Sequence, residues 1–311
     1  MKKIILIGIA LLTSILLWSQ QDAQYTQYMY NMSVINPAYT TSTAGIVNVG
    51  GLHRTQWVGV IGAPKSSNLF LHTPINNKIE IGFSLINDNI GDIVKENNLF
   101  ADFAYKLDFE EYGNLSFGLK TGVTFFDVNF NDFVLESGDV FTDADFAENI
   151  NQSYFNIGAG VYFNTDNYYI GFSIPNILRS QHLDRTNGKY QGTELPHIFL
   201  TGGYVFKIND FFKLKPAFMA KRVNGAPLTI DLTANILYDN RLEFGIGYRF
   251  TDAITGLFNI RATPEIRIGY AYDHTISNLG PFSSGSHELF ILYDFDMLNI
   301  NKGFDKSPRF F

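Results

Sequence analysis

The chain has 311 residues, of which 46% are hydrophobic, 15% aromatic and only 17% charged, and its formal net charge is -7. This acidic balance argues against nucleic acid or another polyanion as the main partner. The absence of cysteine excludes disulfides, thiolate metal ligands and a cysteine nucleophile.

The first 20 residues, MKKIILIGIALLTSILLWSQ, have the pattern of a secretory signal peptide. Two lysines precede an apolar run from Ile4 to Leu17, which is too short for a membrane-spanning helix. We expect cleavage near Ser19 or Gln20. Since no later apolar run is long enough to span a membrane as a helix, the mature chain is either soluble or a membrane β-barrel.

Residues 21–42 precede the first predicted strand and are rich in aromatic and Met side chains. The stretch QYTQYMYNMSVINPAY at 24–39 holds the candidate plug or partner-binding residues Tyr25, Gln27, Tyr28, Met29, Tyr30, Asn36 and Pro37. On a barrel topology we expect this stretch to emerge on the periplasmic side, where it either folds up into the lumen or lies against a periplasmic partner. Plugging is favoured because the lumen would bury the rings and offer polar partners to their hydroxyl groups. Asn36 and Pro37 would mark the turn before the first strand.

Alternation with a period of two recurs along the rest of the chain and predicts strands. In LSFGLKTGVTF at 115–125, Phe117, Leu119, Val123 and Phe125 share one face, and small or polar residues share the other. Fourteen strands are predicted, at 43–53, 66–75, 79–87, 97–109, 114–126, 152–163, 167–175, 194–207, 211–222, 227–238, 241–250, 253–261, 264–274 and 286–296. An even number places both termini on one side, as in bacterial outer-membrane barrels, although twelve or sixteen strands stay open. The predicted fold is therefore an all-β transmembrane antiparallel barrel at 43–296, with a periplasmic tail at 297–311.

The same alternation assigns a polar set of side chains to the lumen. These are Glu80, Asp102, Lys106, Lys120, Asp231, Asn235, Glu243, Arg249, Glu265, Arg267, Asp273, Glu288 and Asp294. Both signs of charge are present, so we expect them to pair across the interior and to hold the barrel rigid. A dedicated substrate path would favour one sign.

The connections are sorted by length in a way that favours a membrane barrel over a soluble sandwich. Even-numbered strands are followed by short turns, whereas the long connections, at 54–65, 127–151, 176–193 and 275–285, all follow odd-numbered strands. Outer-membrane barrels carry short turns on the periplasmic rim and long loops on the outer rim. We expect outer-rim contacts from Arg179 and Arg185 in one long loop and from Leu279 and Phe282 in another; the latter loop is uncharged and is either a protein contact or folded over the lumen.

No motif points to catalysis or to a cofactor. The six histidines form no close metal-ligand pair, and no P-loop, dinucleotide fingerprint or GxSxG is present. The Ser-His-Glu run at 286–288 lacks triad geometry, because neighbours on a strand point to opposite faces. The acidic loop at 127–151 matches no EF-hand spacing, so a solvated loop is favoured over a calcium site. We expect a protein that is no enzyme and has no cofactor or metal.

Several motifs, taken in order, resemble the PorP/SprF family of outer-membrane proteins of the type IX secretion system in Bacteroidetes. They are the stretch at 24–39, HRTQWVGVIGAPKS at 53–66, NDNIGDI at 87–93, LSFGLKTG at 115–122, IGYAYDHTIS at 268–277 and GSHELFILYDF at 285–295. The resemblance assigns a structural role to the family-motif residues Gln56, Trp57, Gly285, Ser286, His287 and Glu288.

The resemblance implies a non-catalytic barrel in the outer membrane, in contact with its lipid. Family members support the secretion or surface attachment of large proteins with a C-terminal sorting domain, often adhesins for gliding motility. Another branch belongs to the secretion machinery and contacts periplasmic ring subunits. The alternative hypothesis from a different functional class is a transport barrel for small hydrophobic solutes. Such a barrel requires a continuous apolar pocket. The mainly charged lumen argues against it.

Overall fold

A computed structural model describes residues 24–39, 46–91, 93–109, 112–129, 149–178 and 195–296. Its strands are β1 Ile46–Thr55, β2 Lys65–Pro74, β3 Ile79–Ile90, β4 Val94–Asp108, β5 Asn114–Val128, β6 Ile150–Asn164, β7 Tyr168–Ile174, β8 His197–Tyr204 with its continuation Phe206–Lys207, β9 Phe212–Val223, β10 Thr229–Tyr238, β11 Leu242–Arg249, β12 Ala253–Arg261, β13 Ile266–Thr275 and β14 Ser286–Asp296. Within these ranges the helical elements are 3₁₀ turns at Tyr28–Tyr30 and Gly280–Phe282 and α1 at Met32–Ile35. In the part of the chain that the structure describes, no helix has the length and apolar character needed to cross a membrane.

The fourteen strands form one closed antiparallel ring. Each strand pairs with its neighbours in the chain, and β1 pairs with β14 from Ile46 opposite Asp296 to Thr55 opposite His287. Every predicted strand overlaps an observed one, and the predicted count of fourteen is confirmed over twelve or sixteen. Closure leaves no sheet edge unpaired, which a sheet in lipid requires because the bilayer core offers no water to exposed backbone groups.

The two faces of the ring separate apolar from polar side chains. In β5, Phe117, Leu119 and Phe125 are exposed on the outside, whereas Lys120 and Thr124 are buried on the inside. Of the predicted lumen residues, Glu80, Asp102, Lys120, Asp231, Asn235, Glu243, Arg249, Arg267, Asp273 and Glu288 are buried, and Lys106, Glu265 and Asp294 are half-buried. An apolar outside around a polar inside fits a barrel whose solvent on the outer face is lipid.

The ring carries long connections at one end and short turns at the other. The connections at 56–64 and 276–285 share one end with the strand ends that flank 129–149 and 175–196. This end is called here the long-loop rim, and the opposite end is the short-turn rim. One short turn is centred on Asp239–Asn240, where φ values of 50° and 53° match the type I′ turns that join twisted hairpins. The predicted sorting of connections by parity is therefore confirmed.

Exposed aromatic rings encircle part of the barrel near the short-turn rim. Ring contacts join Tyr168 to Tyr204, with centroids 6.2 Å apart, and Phe212 to Tyr238, with centroids 5.0 Å apart. Such girdles form where lipid headgroups meet the hydrocarbon core, because Tyr presents an apolar body and a polar tip. This girdle places the short-turn rim at one membrane interface.

We predict that a charge on the outer face destabilises the barrel only at membrane depth. Leu119→Arg places a guanidinium in lipid near the middle of β5 and should lower the free energy of unfolding by about 2–4 kcal/mol. Urea titration of barrels refolded in phospholipid vesicles measures the change. The control Phe282→Arg lies in a long-loop-rim connection and should have almost no effect; equal losses for both variants would contradict the assigned lipid face.

Candidate functional site inside the barrel

Residues 24–39, called here the lumenal segment, lie inside the ring and run along it from rim to rim. At one end Gln24 exchanges hydrogen bonds with Lys221 and Asp231, close to where β9 ends and β10 begins at the long-loop rim. At the other end the Tyr39 ring lies 5.5 Å from that of Tyr162, near the short-turn end of β6. The segment therefore descends from the long-loop rim before β1 begins at the short-turn rim, whereas the sequence suggested that it emerges on the periplasmic side and folds up.

The part of the lumenal segment nearer the long-loop rim, called here its upper part, is held by three buried ionic side chains. These are Arg54, Asp273 and Glu288, called here the clasp. The backbone N–H groups of Thr26 and Gln27 donate to the two carboxylate oxygens of Glu288, at 2.8 and 2.7 Å. Arg54 donates to Glu288 at 3.1 Å and to Asp273 at 2.8 Å, and also to the Thr26 hydroxyl at 2.7 Å. A carboxylate fixed by two backbone donors and a guanidinium has its lone pairs satisfied, as a buried charge requires.

A second ion pair lies beside the clasp and extends it around the wall. Arg249 Nε donates to Asp231 at 2.8 Å, and Arg249 Nη1 lies 3.7 Å from Asp273. Asp231 also accepts a long hydrogen bond from the Gln24 amide, at 3.4 Å. The charges at this level therefore form one network that includes the start of the segment.

Tyr30 lies in the half of the lumen nearer the short-turn rim, beside the first residues of β11. Its hydroxyl donates to Glu243, which also accepts from Asn235 at 2.7 Å, and its ring stacks on Phe290 with centroids 4.6 Å apart. The side-chain cations of Lys215 and Arg267 lie 5.6 and 5.1 Å from the ring centroid, within the range of cation–π attraction.

The segment ends in a turn that fits a groove of glycines. The Asn36 side chain accepts from Ala38 N–H at 2.9 Å and donates to the Val161 carbonyl at 3.1 Å. A Cβ at Gly118 would lie 2.2 Å from the Ala38 nitrogen, and one at Gly160 would lie 2.1 Å from Asn36 Oδ1. Only glycine permits this close approach of turn and wall.

The middle of the segment is tied to the wall through its carbonyl groups. Lys120 Nζ donates to the Ser33 carbonyl at 3.3 Å and pairs with Asp102 at 2.9 Å, and the Ser173 hydroxyl donates to the Ile35 carbonyl at 2.8 Å. The predicted plug residues Tyr25, Gln27, Tyr28, Met29, Tyr30, Asn36 and Pro37 are all buried. The structure therefore brings this predicted set together inside the ring.

The family-motif residues link the connection that follows β1 to the start of β14. One of them, Glu288, also belongs to the clasp. Trp57 N–H donates to the Ser286 hydroxyl at 3.1 Å, and Val58 N–H donates to the Gly285 carbonyl at 2.8 Å. Gly285 has a φ of 95°, a conformation that favours glycine. Gln56 N–H closes its own connection by donating to the Pro64 carbonyl at 3.0 Å.

The Ser-His-Glu run alternates between faces, as expected. Ser286 and Glu288 are buried inside, whereas His287 contacts Tyr270 on the outer face, with its Nδ1 2.6 Å from the tyrosine hydroxyl. The three side chains therefore form no triad.

Among the described residues, no group of three or more His, Asp and Glu side chains is placed to hold a metal ion. Most of the acidic loop, at 130–148, lies outside the described residues, as do Arg179 and Arg185. Of the other predicted rim contacts, Phe282 is 73% exposed and Leu279 is half-buried.

Sequence reasoning missed Arg54 and Thr26, which are central to the clasp. The inward position of Arg54 follows from its alternation with His53 in β1, but Gly50 and Gly51 blur the apolar half of that pattern. The role of Thr26 has no local signal, because its partner Glu288 is 262 residues away.

The model of a protein family described as type IX secretion system membrane protein PorP/SprF matches residues 18–293. No curated protein is significantly similar to the chain.

Among solved structures, a mutant of the monoaromatic hydrocarbon channel TodX is 10% identical, covers 86% of this chain and 94% of its own, and has a TM-score of 0.52. The monoaromatic hydrocarbon channel CymD is 15% identical, with 85% and 92% coverage and a TM-score of 0.51. The outer-membrane protein Omp33 of Acinetobacter baumannii is 8% identical, with 82% and 100% coverage and a TM-score of 0.48. At these identities the likeness to TodX and CymD shows the barrel fold alone.

We predict that removing the charge of Glu288 loosens the upper end of the segment. Glu288→Gln replaces one acceptor oxygen by an NH₂ group that faces a backbone N–H donor or Arg54, and an unmatched buried polar group costs about 1–3 kcal/mol. The expected result is higher ion conductance of the barrel in planar lipid bilayers. Glu265→Gln, at the half-buried short-turn end of the lumen, is the matched control and should conduct as the native chain does.

We predict that a side chain in the glycine groove displaces the turn at Asn36. Gly160→Val puts a Cβ at 2.1 Å from Asn36 Oδ1, so the turn must move, and conductance should rise while the barrel still forms. The control Gly256→Val adds the same side chain to the outer face, where no atom lies within 4 Å of the added Cβ. Native conductance in Gly160→Val, with the barrel folded, would show that the groove does not hold the segment in place.

Proposed function

Because the chain belongs to the PorP/SprF family of type IX secretion system membrane proteins, we propose that it supports secretion or surface attachment of a partner protein without catalysing a reaction. The coarse part of this function, an outer-membrane barrel in a secretion system, follows from family and fold. The finer part is that a secreted adhesin with a C-terminal sorting domain docks on the long-loop rim. The expected signal peptide at 1–20 delivers the chain to the envelope.

The observation that carries the proposal is the filled lumen. The lumenal segment buries its side chains against the inner wall at the level of the clasp, at Tyr30 and at the glycine groove. Three cavities that the segment helps to line measure about 570, 70 and 50 Å³, far too small for a folded domain. In the proposal the segment is a plug, and the partner is held at the rim rather than passed through this barrel.

The long-loop rim supplies the docking surface. Ile61 is fully exposed and Phe282 is 73% exposed, and their two connections are joined by the Val58 and Ser284 backbone hydrogen bonds. Exposed apolar tips on a braced loop pair are typical of a protein contact, because little ordering is needed on binding. The predicted cationic contacts Arg179 and Arg185, which lie outside the described residues, stay part of the proposal.

The hypothesis of a transport barrel for small hydrophobic solutes has less support than partner docking. The two structural relatives named as monoaromatic hydrocarbon channels share only the fold with this chain. The largest of the three cavities beside the segment is lined by four carboxylates and two guanidinium groups in addition to apolar side chains, which suits a hydrocarbon poorly.

We predict that polar substitutions at the two exposed tips impair display of the partner. The double variant Ile61→Ser, Phe282→Ser should lower surface display of sorting-domain proteins several-fold in intact cells, because it removes apolar contact area without touching the barrel wall. Flow cytometry with an antibody to the displayed protein measures the effect.

The matched control is Ile75→Ser, Tyr112→Ser, a pair of exposed apolar side chains in short-turn-rim connections. This control should display the partner normally. Loss of display in the control, with normal display in the long-loop variant, would overturn the proposal in favour of a machinery component that contacts periplasmic ring subunits.

A further inference from the structure

A cavity of about 570 Å³ lies between the start of the lumenal segment and the long-loop rim. Gln24 is part of its lining, together with Arg54 of the clasp and the loop residues Trp57 and Leu228. The cavity is therefore continuous with the point at which the described segment begins.

The lining of this cavity is acidic on balance. Its carboxylates outnumber its guanidinium groups by four to two, a formal excess of two negative charges; they belong to Asp88, Glu96, Asp252 and Asp273, against Arg54 and Arg249. A concave site with this balance favours a cationic group, since its walls focus the field of the carboxylates.

The chain itself supplies a cationic group of the right reach. Followed backwards from Tyr39, the lumenal segment rises through the ring and arrives at the cavity with Gln24. Cleavage near residue 19 or 20 leaves three or four residues before Gln24, which span at most roughly 10–14 Å when extended. They end in an α-ammonium group, which carries three donors for carboxylate acceptors.

We infer that the cavity seats the mature amino terminus of the chain, so that the barrel presents its own amino terminus at the long-loop rim. The inference rests on the orientation used in the proposed function, with the long loops outside the cell. In that orientation the first residues of the mature chain become part of the surface that the partner meets. The terminus then reaches the outside by passing through the ring rather than around it.

Epitope insertion tests where the terminus lies. One short peptide epitope is inserted after Gln21, after Ser283 in a rim connection, or after Asp166 in a short turn, and antibody binding is compared in intact and permeabilised cells. The first two epitopes should be bound in intact cells and the third only after permeabilisation. Heat-modifiable migration in electrophoresis verifies that each barrel is folded, and mass spectrometry of the amino-terminal peptide verifies cleavage.

The three epitopes separate this inference from the proposed function. A loop epitope outside with an amino-terminal epitope detected only after permeabilisation overturns the inference and leaves the orientation intact. A loop epitope that is itself internal overturns the orientation on which both rest.

Thiol labelling tests the occupant of the cavity, because the native chain has no cysteine. Thr229→Cys places a small uncharged thiol in the lining. Its reaction with a membrane-impermeant thiol reagent should become several-fold faster when residues 21–23 are deleted, whereas Phe282→Cys should react at the same rate in both backgrounds. An unchanged rate at position 229 would show that the amino terminus does not fill the cavity, and a segment of the partner would become the favoured occupant.

Discussion

The inner wall of the barrel carries charges that neither lipid nor bulk water neutralises, and the structure depends on satisfying them from within. Arg54 shows how this is done: its guanidinium contacts two carboxylates on neighbouring strands and one hydroxyl of the lumenal segment. Burying such groups costs several kcal/mol per ion unless each finds good partners, and removing one partner from a buried pair typically costs about 3–5 kcal/mol. The ionic wall is consequently a source of specificity, because few arrangements of the chain satisfy all of it.

The lumenal segment belongs to this arrangement as much as the strands do. Its backbone N–H groups complete the coordination of Glu288, and its carbonyl groups at Ser33 and Ile35 accept from Lys120 and Ser173. Its rings fill space that a fourteen-stranded ring leaves open, which polar side chains from the wall alone do not fill. Wall and segment thus form a single core. Polar side chains of the inner wall surround the aromatic side chains of the segment in this core.

The fold was predictable because it depends on patterns between neighbouring residues. Much of the site was unpredictable, since it depends on contacts between residues far apart in the sequence. The alternation in β5 shows both of its faces within eleven residues, and the longest connections all follow odd-numbered strands. The burial of Tyr28 and Met29 followed from their apolar character once a barrel was expected. The direction of the segment depends instead on contacts such as Thr26 with Asp273, 247 residues apart, which leave no periodic trace in the sequence. The short helical turns at 28–30 and 32–35 are likewise too brief to show a helical period.

The clasp also lies across the seam of the ring. Arg54 is on the first strand and Glu288 on the last, directly opposite each other in the register that closes the barrel, and 234 residues separate them along the chain. The lumenal segment precedes the first strand, and its Thr26 and Gln27 backbone N–H groups donate to the same Glu288 carboxylate that pairs with Arg54. Closure and filling are therefore coupled, because a barrel that closes without its segment leaves Glu288 without two of its donors. One ion pair thus contributes both to joining the first strand to the last and to holding the segment inside the ring.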